Sequence, residues 1–433
     1  MSHIGILCPG AIGHLNPMCN LGNELLHRGH KVTLFGVPEV AAKISQSNLE
    51  FCEIGSSDFP SGYMDSLYAQ LGQLTGLDGF KFVAQFFVKE SEMLFREATP
   101  SIRDASIDLL LVDQLTIAGG TIADYLELPF VTVCNALPSQ MEPGIPPYFT
   151  HWGYQDIWWA KLRNQLGNIL RSYLTRDIWK VLTQQRREWQ LPPHQNRDKS
   201  YSQLAQLAQL PQELDFPRAK IVSWFHYVGP LKNPTDIEPI SAQNQSFSFD
   251  QLNAKPLIYA SLGTLQNHNW KIFHSIAEAC LDIDAQLVIS LGNPDADLSQ
   301  ANFPGNPLVL AFPPHQQLIN RAALVITHAG STAVSCLSSG VPMVAIPITT
   351  DQPGMAARIA RVGACEVIPI AKLDVPRLKV AINKVFKNSS YRENAEKLRV
   401  TIQEAGGVDY AANVVEQVLR TNAPVFNNCL RVF

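Results

Sequence analysis

One segment, from Leu324 to Arg358, constrains the fold more strongly than any other part of the chain. It opens with a wholly apolar run over Leu324–His328, which predicts a buried strand of a parallel sheet. A tight turn at Gly330 follows, then a short helix over Thr332–Ser339 and a second apolar strand over Val341–Ile348. Two strands joined through a helix form a parallel crossover, so the segment predicts an α/β fold.

The turn at Gly330 also predicts a binding site. Ser331 or Thr332 would cap the helix, and the helix start would bring free backbone N–H groups and the positive end of the helix dipole to one point. The polar loop after the second strand carries Asp351 and Gln352 at the carboxyl edge of the sheet, where open parallel sheets bind ligands. A phosphate site beside two hydroxyl-binding side chains predicts a nucleotide sugar as the ligand.

The order of elements along the 433 residues predicts two Rossmann-like, doubly wound domains. The first is expected over residues 1–226, with an aromatic-rich helical insertion at about 140–200. A polar stretch with prolines over residues 227–255 predicts a linker, and residues 256–433 predict the second domain.

Composition and charge exclude several classes of protein. A formal net charge of −4 and the lack of Lys/Arg runs argue against nucleic acid as a partner. The eight cysteines form no Cys-x-x-Cys pair, so we expect free thiols in a reducing cytoplasm. No apolar run reaches the roughly 18 residues of a membrane span, and an apolar strand over His3–Cys8 leaves no room for a signal peptide. No acidic pair or histidine cluster has metal-ligand spacing, which predicts metal independence.

The residues HAGSTAV…GVPMVAIP…DQPG within the first segment resemble the donor-binding motif of the family 1, UDP-sugar-dependent glycosyltransferases, which have the two-domain GT-B fold. Two further elements resemble that family: the run FPPHQQ that begins at Phe312, and an opening Gly10-x-x-Gly13-His14-x-x-Pro17. Stretches in both halves, among them Trp158-Trp159-Ala160, resemble zeaxanthin glucosyltransferases and their bacterial relatives. The resemblance implies a last helix that packs back on the first domain, UDP-glucose as co-substrate, and no bound cofactor.

The resemblance also implies which residues hold the donor. Phe312 would stack on the nucleobase, and His315 replaces the glutamine that the family has there. The family has a glutamate that binds the ribose hydroxyls, whereas this chain has Ser335 or Cys336 at that position. The implied donor-binding residues are Ser261, Gly263, Thr264, Phe312, His315, Gln317, His328, Gly330, Ser331, Thr332, Ser335, Asp351 and Gln352.

His14 and Asp113 are the candidate catalytic residues. His14 lies on the first glycine turn and Asp113 ends a different strand of the same sheet, so both side chains can converge on one crevice. A histidine pKa near about 6.5 suits proton removal at neutral pH, and a carboxylate can orient the ring. From the residues alone, a helix-capping histidine and an aspartate that caps the next helix remain alternatives; the resemblance implies the catalytic pair.

Aromatic residues accumulate between His151 and Trp189, where five of the seven tryptophans lie. Such density is typical either of helices packed onto a sheet or of an apolar ligand wall. The second interpretation, with the resemblance, predicts a lipophilic acceptor: a carotenoid, another terpenoid or a phenol. The predicted acceptor-binding residues are Phe86, Phe87, Asn135, Met141, Tyr148 and Trp152. A lipid-borne acceptor would bring the protein into peripheral membrane contact, although the sequence predicts no basic amphipathic helix.

These features together predict an inverting transfer of a hexose, with glucose preferred, from a UDP-sugar to a hydroxyl group, by a cytoplasmic protein that is a monomer or a weak dimer. One alternative is a GT-B binding protein without transferase activity, which the missing ribose-binding glutamate suggests. The other is a sugar-nucleotide epimerase, which would leave the His14 and Asp113 pair unexplained.

Overall fold

The computed structural model describes residues 1–45, 47–74, 76–232, 247–264 and 269–427, so residues 233–246 of the predicted linker lie outside it. The described residues form two parallel β-sheets. The first sheet contains the strands β1 (His3–Leu7), β2 (Lys31–Gly36), β3 (Glu50–Glu53), β4 (Leu109–Asp113), β5 (Phe130–Cys134), β6 (Gln206–Ala208) and β7 (Phe225–Tyr227). The second contains β8 (Leu257–Ser261), β9 (Gln286–Ser290), β10 (Leu308–Leu310), β11 (Ala322–Thr327), β12 (Met343–Ala345) and β13 (Cys365–Val367).

Both sheets are doubly wound. The strand order is β3-β2-β1-β4-β5-β6-β7 in the first sheet and β10-β9-β8-β11-β12-β13 in the second. In β4, Leu109 and Leu111 belong to one hydrophobic cluster, whereas Leu110 and Val112 belong to another. Because neighbouring residues of a strand point to opposite faces, both faces of the sheet are buried. The predicted α/β fold with two Rossmann-like sheets is confirmed.

Helices cover the faces of both sheets. Those before β8 are α1 (Ile12–His27), α2 (Pro38–Ile44), α3 (Tyr63–Gln73), α4 (Gly76–Met93), α5 (Thr99–Asp104), α6 (Ala118–Leu126), α7 (Trp158–Leu174) and α8 (Arg176–Glu188). Those after it are α9 (Trp270–Cys280), α10 (His315–Arg321), α11 (Ser331–Ser338), α12 (Gln352–Arg361), α13 (Val375–Lys387), α14 (Ser390–Glu404) and α15 (Gly407–Thr421). A π-helical turn over Leu94–Ala98 joins α4 to α5.

Two predicted boundaries near the donor segment are wrong. The strand expected over Val341–Ile348 is only Met343–Ala345, because Pro342 and Pro347 on either side cannot donate to the sheet. Gln352, expected in the following loop, is the first residue of α12, since a proline follows it and proline favours a helix start.

Helix α15 packs on the first domain although it lies near the carboxyl end of the chain. Ala411 and Val415 share a hydrophobic cluster with Leu15 of α1. Arg28, which follows α1, donates from Nη1 to Glu416 Oε2 over 2.9 Å. Apolar contacts and an ion pair therefore anchor the end of the chain to its beginning.

A buried network of charges joins the two domains. Asp215, between β6 and β7, accepts hydrogen bonds from Arg218 Nε over 2.6 Å and from Arg358 Nε of α12 over 2.8 Å. All three side chains are almost fully buried. Burial by itself would raise the pKa of Asp215, but the charges of Arg218 and Arg358 outweigh it and hold that pKa below its usual range. The carboxylate is therefore charged, and it fixes α12 against the first domain.

The domains also meet through their backbones. The Gly354 N–H, in the first turn of α12, donates to the Tyr148 carbonyl over 2.9 Å. A Cβ atom at Gly354 would lie 2.2 Å from that oxygen, so no other residue fits there. This contact and the ion pair of Arg358 with Asp215 hold α12 at two points about one helical turn apart.

Replacing Arg358 with Met should lower the free energy of unfolding by about 3–5 kcal/mol, because the Asp215 carboxylate then stays buried without one of its partners. Thermal or urea unfolding followed by circular dichroism measures the change. Arg399→Met is the matched control, since Arg399 pairs with Glu396 at the surface and its loss should leave the unfolding midpoint unchanged. Equal losses in the two variants would contradict the role given to the buried pair.

Candidate active site

The structure brings His14 and Asp113 together at the carboxyl edge of the first sheet. His14 lies in the first turn of α1, which follows β1, and Asp113 is the last residue of the adjacent β4. His14 Nδ1 and Asp113 Oδ2 are 2.7 Å apart, and Asp113 is fully buried. In the neutral tautomer that this contact selects, Nδ1–H donates to the carboxylate and Nε2 can accept a proton. The pair therefore has the geometry of a base and its orienting carboxylate.

Three other groups hold this pair in place. The Leu115 N–H donates to Asp113 Oδ1 over 2.7 Å, and Asn135 Nδ2 donates to Asp113 Oδ2 over 2.6 Å. Gln209 Nε2 in turn donates to Asn135 Oδ1 over 2.5 Å. Asn135, expected to bind the acceptor, thus positions the Asp113 carboxylate in the structure.

The charges around His14 come from both domains. Burial lowers the pKa of His14, but the charge of Asp113 and the hydrogen bond to it outweigh burial, and the charge of Asp351 adds to their effect. The net result is a raised pKa. Asp351 immediately precedes α12 of the second domain, so the donor-side loop lies within electrostatic reach of the base.

Glu90 of α4 is a buried carboxyl group that the sequence did not single out. Its side chain is 8% exposed and lines a cavity of about 20 Å³, which has room for about one water molecule. The Thr116 hydroxyl lines the same cavity and has no hydrogen-bond partner in the described chain. Thr116 belongs to the turn that follows Asp113, since its N–H donates to the Asp113 carbonyl over 2.9 Å. The cavity therefore lies against the turn that follows Asp113.

The protonation of Glu90 follows from its surroundings. Burial, and then the negative charge of Asp113, raise the pKa of Glu90 to about 8, against the opposing effect of His14. The carboxyl group is therefore mostly protonated at neutral pH. A neutral carboxyl group can both donate and accept a hydrogen bond, and Glu90 and Thr116 both line this mostly apolar cavity.

In the second domain, the turn between β11 and α11 offers unpaired backbone groups. Helix α11 begins at Ser331, and Gly330 is its N-cap without a side-chain hydrogen bond. The expectation that Ser331 or Thr332 caps this helix is wrong, because glycine occupies the capping position. The Ala333 N–H donates to the Gly330 carbonyl over 2.9 Å, so the N–H groups of Ser331 and Thr332 are the ones of the first turn that can bind an anion. Ala329 has a φ of +65°, a strained conformation of the kind found at functional turns.

His328 lies between two glycines at this turn. A Cβ atom at Gly330 would lie 2.4 Å from His328 Nε2, and one at Gly263 would lie 2.8 Å from Cε1. Ser261 ends β8 and accepts the Gly263 N–H over 3.4 Å, and Thr264 follows in the same turn. Burial lowers the pKa of His328 to about 4, so at neutral pH the ring offers one N–H and no charge.

Lys232 brings positive charge to the same place. Its Nζ donates to Ser335 Oγ of α11 over 2.7 Å and to Gln316 Oε1 over 3.3 Å. Lys232 comes five residues after β7, within the stretch predicted as a linker. The family resemblance places Ser335 or Cys336 where the family has a ribose-binding glutamate. This chain therefore has the cation of Lys232 beside a position at which the family has an anion.

The residues of the FPPHQQ element lie close to this cation. Phe312 has an exposed ring, which is available for stacking on a base. His315 Nδ1 is 2.8 Å from the Tyr259 hydroxyl, and burial, with the charge of Lys232 second, lowers the pKa of His315 to about 4. Gln317 is half-buried on α10. Of these side chains, the structure leaves Phe312 most open to a ligand.

Asp351 and Gln352 lie where α12 begins. Asp351 Oδ2 accepts the N–H of Leu137, in the first domain, over 3.2 Å. Gln352 Oε1 accepts the N–H groups of Ile348 and Thr349 over 2.9 and 3.0 Å. Because the amide oxygen is already used, the Gln352 NH₂ group is the part that can bind a ligand hydroxyl.

The remaining acceptor candidates lie in two places. Phe86 lines the small cavity, whereas Phe87 lies in the hydrophobic core of the first domain. Met141, Tyr148 and Trp152 are half-buried on the long segment between β5 and α7. We call this segment, residues 135–157, the acceptor loop.

Two other features are absent from the described residues. No group of three or more His, Cys, Asp or Glu side chains in those ranges could hold a metal ion, and metal independence stays a prediction. None of the helices described is long and apolar enough to cross a bilayer.

Glu90→Gln should raise the free energy of unfolding at pH 8 and change it little at pH 4. The Glu90 carboxyl keeps its proton in the folded protein up to about pH 8, whereas in the unfolded chain it ionises near about pH 4.3. Its contribution to stability therefore falls as pH rises between these values, and glutamine has no proton to lose. Thermal unfolding over this pH range measures the effect.

Glu92→Gln is the control for that variant, because Glu92 lies on the same helix but is exposed. Its pH dependence of stability should match that of the unmodified protein. If the pH dependence of stability of Glu90→Gln also matches that of the unmodified protein, Glu90 is not a buried, protonated carboxyl group.

The chain resembles known proteins over nearly its whole length. The family model for UDP-glucoronosyl and UDP-glucosyl transferase matches residues 6–423. A zeaxanthin glucosyltransferase of Pantoea ananas is 30% identical over 431 residues, which cover 99% of this chain and 98% of that one. A zeaxanthin glucosyltransferase of Pseudescherichia vulneris is 28% identical over 426 residues, which cover 97% and 98%.

Solved structures share the fold. The calicheamicin glycosyltransferase CalG4 has a TM-score of 0.73 at 20% identity, with 98% of this chain and 100% of that one covered. The glycosyltransferase VinC, in complex with DTDP, has a TM-score of 0.66 at 18% identity, with 96% and 99% covered. The architecture is therefore GT-B, and the family match identifies the chain as a member of the UDP-glycosyltransferase family and an enzyme that transfers sugars.

Proposed function

We propose that this enzyme transfers a hexose, with glucose preferred, from a UDP-sugar to a hydroxyl group of a lipophilic small molecule, with inversion at the anomeric carbon. The acceptor class is a carotenoid, another terpenoid or a phenol. One observation carries the proposal: the 2.7 Å contact between His14 and Asp113, within electrostatic reach of Asp351 on the donor side. A binding protein or an epimerase would not need this pair beside the donor loop.

His14 removes the proton of the acceptor hydroxyl. Its Nε2 takes the proton as the hydroxyl oxygen attacks the anomeric carbon, and the Asp113 carboxylate stabilises the imidazolium that forms. The new C–O bond forms opposite the bond to the diphosphate, which breaks and leaves its electron pair on UDP. An α-linked donor thus gives a β-linked product.

Three groups support the departing diphosphate, two from the second domain and one from the stretch that precedes it. The N–H groups of the first turn of α11 have no side-chain cap, His328 offers one N–H, and Lys232 offers a positive charge. Preorganised donors of this kind supply roughly 3–4 kcal/mol each to a transition state in which charge develops. His328 is neutral. Of these two side chains, Lys232 is therefore the one whose positive charge can compensate the charge of the diphosphate.

The start of α12 supports recognition of the sugar. Asp351 can accept hydrogen bonds from sugar hydroxyls, and the Gln352 NH₂ group can donate to one. The relatives from Pantoea ananas and Pseudescherichia vulneris are named zeaxanthin glucosyltransferases, which supports glucose as the sugar and a hydroxylated carotenoid among the acceptors. The free thiols of the described cysteines support a cytoplasmic location.

The direct test is to incubate purified protein with UDP-glucose and a panel of hydroxylated carotenoids, other terpenoids and phenols, and to follow products by mass spectrometry. A mass increase of one hexose with at least one acceptor supports the proposal. Binding of UDP without product from any acceptor would favour the binding protein, and interconversion of the sugar nucleotide would favour the epimerase.

His14→Ala should lower kcat by about 10²–10⁴-fold. Asp113→Asn should lower kcat and also move the acidic limb of the kcat/KM profile to lower pH, because the carboxylate raises the pKa of His14 and the base must be neutral to act. Steady-state kinetics between pH 5 and 9 measures both. His27→Ala, in the last turn of the same helix, is the control and should keep the unmodified rate. Full activity of His14→Ala would rule out its role as the base.

Lys232→Met should weaken the binding of UDP about tenfold or more, because it removes the positive charge that lies beside Ser335 of α11 and that would attract the diphosphate. Isothermal titration calorimetry measures this affinity. Lys255→Met removes an exposed lysine that pairs with Asp284 and should leave the affinity unchanged. An unchanged affinity in Lys232→Met would place this lysine outside the donor site.

A further inference from the structure

The outer side of α7 is apolar and exposed. Its exposed residues Trp158, Leu162, Leu166, Ile169 and Tyr173 follow each other at intervals of three or four, so they form one stripe along the helix. Trp158 is 77% exposed and Ile169 is 65% exposed. We call this stripe the α7 face. Single exposed apolar residues are ordinary on a soluble protein, but a continuous stripe of large ones marks an interaction surface.

The inner side of α7 holds the acceptor loop. Asn164 Nδ2 donates to the Pro143 and Gly144 carbonyls, each over 3.2 Å, and Arg171 Nη1 donates to the Ser139 carbonyl over 2.7 Å. Helix α7 is therefore polar on its buried inner side and apolar on its outer side. One side of the helix thus carries the loop that bears the acceptor candidates, and the other side is open.

Positive charge accompanies the stripe. Between Trp158 and Glu188, which spans α7 and α8, the chain has seven Lys or Arg and two acidic residues. Arg171 and Arg186 are buried, and the other five basic residues are exposed or half-buried. Arg163 lies over the Trp159 ring and Arg176 over the Tyr173 ring, at 5.6 and 4.3 Å from the ring centroids. Cations therefore stand directly beside the apolar residues.

We propose that the α7 face lies in the headgroup region of an anionic lipid bilayer, so that a lipophilic acceptor reaches the active site from the membrane. The proposal rests on the proposed function only in taking the acceptor to be lipophilic. Tryptophan and tyrosine at the two ends of the stripe suit the membrane interface, and the neighbouring cations suit anionic headgroups. The helix, about 25 Å long, would lie along the surface, because its inner side is bound to the acceptor loop.

A second copy of the chain fits this face less well. A symmetric dimer would place the same surface patch of two molecules against each other. The cations beside one stripe would then face those beside the other, and like charges in an interface oppose association. The same charges attract an anionic bilayer.

Sedimentation with lipid vesicles tests the proposal. The unmodified protein should bind vesicles of phosphatidylcholine with about one quarter phosphatidylglycerol, and bind less to pure phosphatidylcholine and at high salt. The triple variant W158S/L166S/I169S should bind about tenfold less or weaker still. The control V380S/V400S/F426S replaces three other exposed apolar residues and should bind like the unmodified protein.

Two kinds of outcome would overturn the proposal. One is that the unmodified protein fails to sediment with anionic vesicles, or that the α7 variant and the control lose binding equally. The other is a dimer, detected by light scattering without lipid, that the α7 variant converts to a monomer, since the face would then be an interface between copies.

A kinetic comparison separates this proposal from the proposed function. The α7 variant should keep its rate on a water-soluble phenol and lose it on a hydroxylated carotenoid carried in the vesicles. If the unmodified protein glycosylates neither acceptor, the proposed function fails, and vesicle binding still decides whether the α7 face binds membranes.

Discussion

The geometry of the cleft depends on one buried carboxylate, that of Asp215. Charges are costly to bury unless they are paired, and Asp215 is paired twice, once within its own domain by Arg218 and once across the cleft by Arg358. Arg358 lies on the helix whose start carries Asp351 and Gln352. The same ion pair that joins the domains therefore sets where the sugar-side residues stand relative to His14. Separating the domains here would break the pair between Arg358 and Asp215, so one arrangement is strongly preferred.

Much of this architecture could be predicted because it depends on local patterns. Mainly apolar runs such as Phe130–Cys134 predict strands with the bounds that the structure shows, since a strand buried on both faces has few polar positions. The bounds predicted from an apolar run are wrong where proline interrupts it, since Pro342 and Pro347 shorten β12. The nearness of His14 and Asp113 was predictable for a similar reason, because the ends of adjacent parallel strands meet at one edge.

Other parts of the site could not be predicted, because they depend on contacts between residues far apart in sequence. Lys232 reaches Ser335 across 103 positions of the chain, and no local pattern indicates that pairing. Asn135 has the polarity of a ligand-binding residue, yet its amide is used to hold Asp113. Glu90 looks like an ordinary charged residue of a helix, and its buried position appears only once α4 is packed against the sheet. The tryptophans of α7 were visible in the sequence, but the direction they face was not.

The hydrogen bond from the Gly354 N–H to the Tyr148 carbonyl has a consequence for how such an enzyme changes over evolution. It joins the acceptor loop to the donor domain without using any side chain of the loop. Side chains along that loop can therefore vary, and new acceptors can be accommodated, without disturbing the spacing between the two substrates. The main chain thus sets the distance between the sugar and the attacking hydroxyl group, while the side chains of the loop determine which acceptor binds.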